Sequence, residues 1–239
     1  GEKPLIAVDP GYRTGGKVAV LDAQGSLKAH AVIHPEGSEA ARKAAHDILA
    51  KLAADHGITI FAVGNGTAGR ETEDFMKESF PDASVISVDE RGASVYSASA
   101  EARREFGSLD LTIRGAVSIG RRLQDPLAEL VKIDPESIGV GQYQHDVDAK
   151  ELKSALDDTV RSAVNAVGVE LNTASAPLLA RVSGLGVKLA EAIVDYRQEK
   201  GAIQSRKDLL SVKGLGAKAF EQAAGFLRIR GARNPLDSS

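Results

Sequence analysis

The chain has 239 residues, a formal net charge of −3, 43% hydrophobic residues and 4% aromatic residues. It contains no cysteine and no tryptophan, which excludes a disulfide framework and a thiolate metal site and argues against a platform of stacked aromatic side chains. No segment is apolar enough to span a membrane, and the N-terminus shows no signal-peptide pattern. The length and composition predict a cytoplasmic protein of two domains.

The first 90 residues predict a sheet with helices between its later strands. Three short runs joined by turns, which predict an antiparallel meander, lie at 5–8, 17–21 and 27–33. Alternating helices and strands follow at 39–54, 58–63, 70–80 and 84–88. The order βββαβαβ is that of an α/β ribonuclease-H-like fold with a mixed five-stranded sheet.

The rest of the chain reads as mostly helical. Predicted helices lie at 96–105, 114–123, 126–131 and 149–167, and a capped helix begins at 176. We therefore predict a ribonuclease-H-like domain at 1–130, a junction at 131–150, an all-α domain at 151–233 and a linker tail at 234–239.

The near-neutral total charge hides a difference along the chain. Residues 1–180 contain 19 Lys and Arg against 27 Asp and Glu, whereas residues 181–233 contain 11 against 5. A local basic excess is typical of a surface that binds an acidic polymer.

The all-α region contains one seven-residue string twice. Val182-Ser183-Gly184-Leu185-Gly186-Val187-Lys188 recurs as Val212-Lys213-Gly214-Leu215-Gly216-Ala217-Lys218. Glycine permits a tight turn, and the N–H groups that open the next helix suit a phosphate oxygen. The repeat predicts a tandem helix-hairpin-helix domain that holds a nucleic-acid backbone, although each string alone also fits a plain connection between helices. The predicted contacts are Gly184, Gly186, Lys188, Gly214, Gly216 and Lys218, with Arg206, Lys207, Arg228 and Arg230 widening the basic face.

Carboxylates mark a second candidate site. Asp9 and Glu90 follow the first and fifth predicted strands, and Asp125 follows the helix predicted at 114–123. Converging carboxylates can hold Mg²⁺ for phosphodiester hydrolysis. Arg114 at the start of that helix would repel a cation, so we interpret the three acids as vestigial catalytic candidates, with no metal site and no cofactor unless Mg²⁺ serves a remaining nuclease.

A glycine-rich turn at 64–69 allows two interpretations. Such a turn after a strand can cradle a phosphate with backbone N–H groups. It is not a Walker loop, and Glu71 and Glu73 would disfavour an anion. The alternative is an ordinary turn into a helix.

Several long strings resemble the central region of the bacterial Tex family of transcription accessory proteins. Gly141-Gln142-Tyr143-Gln144-His145-Asp146 is the most specific of them, and Val88-Asp89-Glu90-Arg91 is similar to a motif of YqgF resolvases. The other matching stretches are 8–15, 64–68, 92–99, 114–132 and 172–184.

The resemblance implies a YqgF domain, homologous to Holliday-junction resolvases, followed by tandem helix-hairpin-helix motifs. It further implies a binder of nucleic acid that affects transcription, with the transcription machinery as a candidate partner. Together with the hairpins and Arg114, our leading hypothesis is a sequence-independent binder of RNA or DNA that leans towards being non-enzymatic. We expect a monomer without membrane contact. The alternatives are a Mg²⁺-dependent nuclease that uses Asp9 and Glu90, and a protein-interaction scaffold.

Overall fold

The computed structural model describes residues 3–139, 141, 143–232 and 234–238. The chain divides into two compact units, Gly1–Ile133 and Asp134–Ser239. Residues 140 and 142 of the predicted junction, residue 233 of the predicted second domain and residue 239 of the tail lie outside the described part.

The first unit is built on a mixed five-stranded sheet, as predicted. Its strands are β1 (Leu5–Asp9), β2 (Gly16–Leu21), β3 (Leu27–Ile33), β4 (Ile60–Gly64) and β5 (Ser84–Val88). They lie in the order β3-β2-β1-β4-β5. The first three strands are antiparallel, and β4 is parallel to both of its neighbours. The carboxyl ends of β1, β4 and β5 therefore meet at one edge.

Helices cover both faces of this sheet. They are α1 (Glu39–His56), α2 (Gly69–Ser79), α3 (Ala93–Ala98), α4 (Ala100–Phe106), α5 (Leu111–Gln124) and α6 (Pro126–Leu130). One core cluster includes Leu49 of α1 and Met76 of α2, and the cluster on the opposite face includes Val117 of α5. The α5 helix lies directly on the sheet, because a Cβ on Gly120 would be 2.8 Å from the Cβ of Ala7.

One predicted helix is two helices in the structure. The pattern at 96–105 is interrupted at Ser99, whose backbone is extended and whose hydroxyl accepts a hydrogen bond from the Ala102 N–H at 3.1 Å. Serine competes with the helix in this way and caps α4 instead. The predicted strand at 58–63 is also shifted, since β4 ends on Gly64.

The second unit is predominantly helical. Its helices are α7 (Pro135–Ile138), α8 (Ala149–Val167), α9 (Ala176–Leu179), α10 (Val187–Lys200) and α11 (Ala217–Ala223), with a 3₁₀ helix at Arg206–Ser211. The sequence pattern did not predict its short parallel pair, β6 (Val169–Glu170) and β7 (Leu227–Arg228). The interior is apolar and includes Val164, Leu171, Leu179, Ile193, Leu209 and Leu227.

Candidate nucleic-acid interface and carboxylate pair

The repeated strings form two turns of the same geometry. The N–H of Leu185 donates to the carbonyl of Val182 at 3.1 Å, and the N–H of Leu215 donates to that of Val212 at 3.1 Å. Gly184 and Gly214 have φ values of 82° and 85°, a left-handed conformation that glycine adopts without steric penalty. We call residues 182–188 the first hairpin and residues 212–218 the second hairpin.

Both hairpins lead into helices through a glycine. Gly186 is the N-cap of α10 and Gly216 is the N-cap of α11, and both are exposed. Glycine has no side chain with which to cap the first N–H groups, so these donors face solvent. The result is a pair of exposed backbone amide clusters, a chemistry that suits anionic oxygens.

Lysines extend this chemistry. Lys188 and Lys218 lie at equivalent positions of the two hairpins, and both are exposed, as is Lys207. Throughout the part of the chain that the structure describes, none of these three ammonium groups makes a hydrogen bond or ion pair. The sequence predicted all three as contacts, and the structure leaves all three accessible to a ligand.

The two hairpins pack against each other's helices. A Cβ on Gly184 would be 2.6 Å from the Cβ of Gln222 and 3.0 Å from the carbonyl oxygen of Ala219, both in α11. A Cβ on Gly214 would lie 3.6 Å from Leu189 of α10. Gly184 thus serves as a packing position, while Gly214 remains exposed.

The predicted arginines do not behave alike. The Nε of Arg206 donates to the carbonyl of Leu227 at 2.7 Å, and its Nη1 donates to that of Leu236 at 2.5 Å. Its side chain is only 15% exposed and lies 3.9 Å from the carboxylate of Asp237. The inclusion of Arg206 in an open basic face is therefore corrected, because its donors hold the C-terminal segment in place.

Arg228 and Arg230 lie on or next to the short strand β7, and both are exposed. The guanidinium of Arg228 lies beside Gly168, where a Cβ would be 2.8 Å from its Nε. The backbone N–H of Arg230 donates to the carboxylate of Glu170 at 3.0 Å. These two side chains lie at the surface of the second unit, as a widened basic face requires.

In the first unit, Asp9 and Glu90 meet at the carboxyl edge of the sheet. Asp9 ends β1, and Glu90 follows β5 by two residues. The pKa of Asp9 is raised from 3.8 to about 6, first by burial and then by the negative charge of Glu90, with the ammonium of Lys17 partly offsetting both. The two carboxylates therefore interact electrostatically, as expected for groups that follow neighbouring parallel strands at one edge of the sheet.

The glycine-rich turn receives Glu90. A Cβ on Gly66 would overlap the carboxylate of Glu90, and so would one on Gly64. The side-chain oxygen of Asn65 accepts a hydrogen bond from the Glu90 N–H at 3.2 Å. Because a carboxylate already occupies the concave side of this turn, the interpretation as a phosphate cradle is disfavoured.

Helix α5 approaches the Asp9 carboxylate through a glycine and not through a charged side chain. A Cβ on Gly115 would be 2.7 Å from the Oδ2 of Asp9. Arg114, by contrast, is buried, and its guanidinium donates to the carbonyls of Leu109, Ser97 and Gly107. The argument that Arg114 would repel a cation is therefore not supported by its contacts, which join α3 and the loop before α5 to the start of α5.

The structure does not bring Asp125 to this pair. Gly120, five residues earlier, packs on Leu5 and Ala7 at the opposite end of β1 from Asp9. Asp125 instead caps α6, accepting a hydrogen bond from the Ala128 N–H at 3.0 Å. Over the described ranges, no group of three or more His, Cys, Asp or Glu residues could hold a metal ion.

Arg122 is a residue that sequence reasoning missed. Its Nη1 donates to the carbonyls of Asp89 at 2.6 Å and Arg91 at 2.8 Å, on either side of Glu90. It is almost fully buried. No sequence pattern signals this role, because the acceptors are backbone carbonyls.

The fold and the two sites define a class of protein: a ribonuclease-H-like unit followed by a unit with paired helix-hairpin-helix motifs. The family model "Tex protein YqgF-like domain" matches residues 3–124, just over half of the chain, and the chain belongs to this family. A helix-hairpin-helix motif model matches residues 164–228. The resemblance drawn from the sequence strings is confirmed.

Relatives match along nearly the whole chain. The chain is 55% identical to "Transcriptional accessory protein Tex" of Neisseria gonorrhoeae over 246 residues, covering 100% of this chain and 32% of the relative. It is 56% identical to "Protein tex" of Bordetella pertussis over 244 residues, covering 100% and 31%. It is 43% identical to "S1 RNA-binding domain-containing protein 1" of Homo sapiens over 234 residues, covering 95% and 23%. The chain thus spans a third or less of these relatives.

No helix among the described residues is both long and apolar enough to cross a membrane.

Proposed function

We propose that this chain is the nucleic-acid-binding part of a transcription accessory factor, and that its hairpins hold the sugar–phosphate backbone without reading bases. The observation that carries the proposal is the exposure of Gly186 with Lys188 and of Gly216 with Lys218 on two turns closed by the same backbone hydrogen bond. The helix-hairpin-helix match and the names of the relatives, which refer to transcription and RNA binding, support it.

The mechanism follows from the chemistry of the exposed groups. Backbone N–H groups at Gly186 and Gly216 donate to phosphate oxygens, and the neighbouring ammonium groups add charge. Neither group distinguishes one base from another. Binding is therefore independent of sequence and falls steeply with salt, because each lysine that neutralises a phosphate releases a counterion.

Charge reversal at both hairpins tests the proposal. Binding of Lys188→Glu/Lys218→Glu to labelled duplex DNA and single-stranded RNA is measured by fluorescence anisotropy over a salt series. Loss of two contacts lowers the slope of log K against log salt by about 1.8 on duplex DNA, and the affinity about 50-fold at ~0.1 M salt.

The matched control is Lys51→Glu/Lys150→Glu, which changes the same net charge at exposed lysines outside the hairpins. Wild-type affinity for the hairpin variant would refute the proposal. So would an equal loss in both variants, since net charge alone would then explain binding.

A second candidate is a metal-dependent nuclease. It is favoured by one observation: the Oε2 of Glu90, whose charge acts on Asp9, is buried and has no hydrogen-bond partner among the described residues. Two carboxylates fit one Mg²⁺ that also takes water and substrate phosphate oxygens. Such an ion would polarise the phosphoryl group, while Asp9 and Glu90 hold it.

A cleavage assay separates the two candidates. Branched, duplex and single-stranded substrates are incubated with the protein in Mg²⁺ or Mn²⁺. Cleavage that Asp9→Asn abolishes would establish the nuclease, whereas intact substrates alongside salt-dependent binding would support the binder.

A further inference from the structure

The two hairpins share a turn but differ in what surrounds it. The residue after the first valine is Ser183 in the first hairpin and Lys213 in the second. This is the one position between the valine and the second glycine at which the two strings differ.

In the first hairpin, this position is held from inside the unit. The side-chain oxygen of Asn165 on α8 accepts a hydrogen bond from the Ser183 N–H at 3.2 Å, and its amide donates to the Ser183 hydroxyl at 2.7 Å. The adjacent Gly184 is packed on α11. The turn of the first hairpin is therefore partly covered by the protein itself, and its backbone amide at residue 183 is already used.

In the second hairpin, the same position is open. Lys213 and Gly214 are both exposed. Within the described ranges, the Lys213 ammonium makes no hydrogen bond and no ion pair. The second hairpin therefore presents two ammonium groups, those of Lys213 and Lys218, on either side of the exposed Gly214 and Gly216.

We infer that Lys213 is a further nucleic-acid backbone contact and that the second hairpin supplies the larger share of the binding energy. The inference rests on the proposed function and refines it. An ammonium without an internal partner loses no protein contact when it meets a phosphate, and two of them on one hairpin release two counterions where the first hairpin's single lysine releases one. The first hairpin acts more as a fixed support.

Single alanine variants test the inference on the complete 239-residue chain. Lys213→Ala, Lys218→Ala and Lys188→Ala are titrated with the same labelled duplex over the same salt series. Lys213→Ala lowers affinity about five- to tenfold at ~0.1 M salt and lowers the salt slope by about 0.9. The double variant Lys213→Ala/Lys218→Ala loses two phosphate contacts where Lys188→Ala loses one. Its affinity should therefore be about five- to tenfold lower than that of Lys188→Ala.

Lys150→Ala is the matched control, because Lys150 is exposed on the same unit but lies outside both hairpins. Wild-type affinity and slope for Lys213→Ala, with weakened Lys218→Ala, would overturn the inference and leave the proposed function standing. Wild-type behaviour of all three hairpin variants would refute the proposed function itself. A larger loss for Lys188→Ala than for the double variant would overturn the assignment of the second hairpin as the stronger contact.

Discussion

The two units use charged residues in opposite ways. In the first unit, Asp9 is half-buried, and burial together with the charge of Glu90 raises its pKa, so the fold disfavours its charged form. In the second unit, Lys188, Lys213 and Lys218 are exposed and make no polar contact with the described residues. Removing the charge of Asp9 should therefore change the stability of the first unit, whereas removing the charges of the hairpin lysines should change the binding of nucleic acid by the second.

The largest expected effect comes from the part of the second unit that is packed inward. Gly184→Ala combines a left-handed backbone with a clash at 2.6 Å against Gln222, and should destabilise the second unit by about 3 kcal/mol. Gly214→Ala has the same backbone strain but only a 3.6 Å contact, so about 1–2 kcal/mol is expected. Amide hydrogen exchange in α10 and α11 measures both. Equal losses would show that the two hairpins do not differ in packing.

Asp9→Asn should stabilise the first unit at high pH. The pKa of Asp9 is raised from 3.8 to about 6 in the folded protein, so folding favours the protonated carboxyl. The contribution of the protonated Asp9 carboxyl to the stability of the folded state is complete below about pH 4 and is lost as the pH rises through about 6. The variant should therefore gain about 2 kcal/mol at pH 8, after allowance for the partial exposure of Asp9, and almost nothing at pH 4. Hydrogen exchange of β1 measures the gain, and a gain that does not change with pH would contradict it.

Asn165→Ala tests whether the first hairpin depends on α8. Both hydrogen bonds to Ser183 are lost, which should destabilise the first hairpin by about 1–2 kcal/mol. Increased exchange at Leu185 but not at Leu215 is the expected pattern. Unchanged protection at Leu185 would show that packing on α11 alone holds the turn.

The smallest effect on stability is expected for the hairpin lysines. Lys188→Ala/Lys218→Ala removes two exposed side chains that make no polar contact with the described residues, so the free energy of unfolding should change by less than about 0.5 kcal/mol. The affinity for nucleic acid should nevertheless fall by the amount expected for the loss of two phosphate contacts, about 50-fold at ~0.1 M salt. Destabilisation of several kcal/mol would show that these lysines are structural and would remove the contrast between the units.

Much of the fold is visible in local patterns. The three-stranded meander, the helix at Ala149–Val167 and the doubled glycine string depend on side-chain periodicity and turn residues, which are local in the chain. The meeting of Asp9 with Glu90 also follows from strand order, because parallel strands place their carboxyl ends at one edge.

The assignments that failed depend on where a side chain finds its partners. Arg206 and Arg114 are basic residues in a pattern that predicts surface or metal-site roles, yet both donate to backbone carbonyls that only the folded chain brings near. A sequence pattern records charge but not the direction in which a guanidinium points.

The sequence alone established the family, the mixed sheet followed by helices, and the repeated hairpin, because each depends on residue order and short-range spacing. Folding decided which charges face inward and which face solvent. It turned the guanidinium of Arg206 onto backbone carbonyls, half-buried Asp9, left Lys213 exposed, and placed Asn165 against Ser183. The physical reason is that burial and hydrogen bonding depend on neighbours far apart in the chain, and two copies of one string can meet different neighbours.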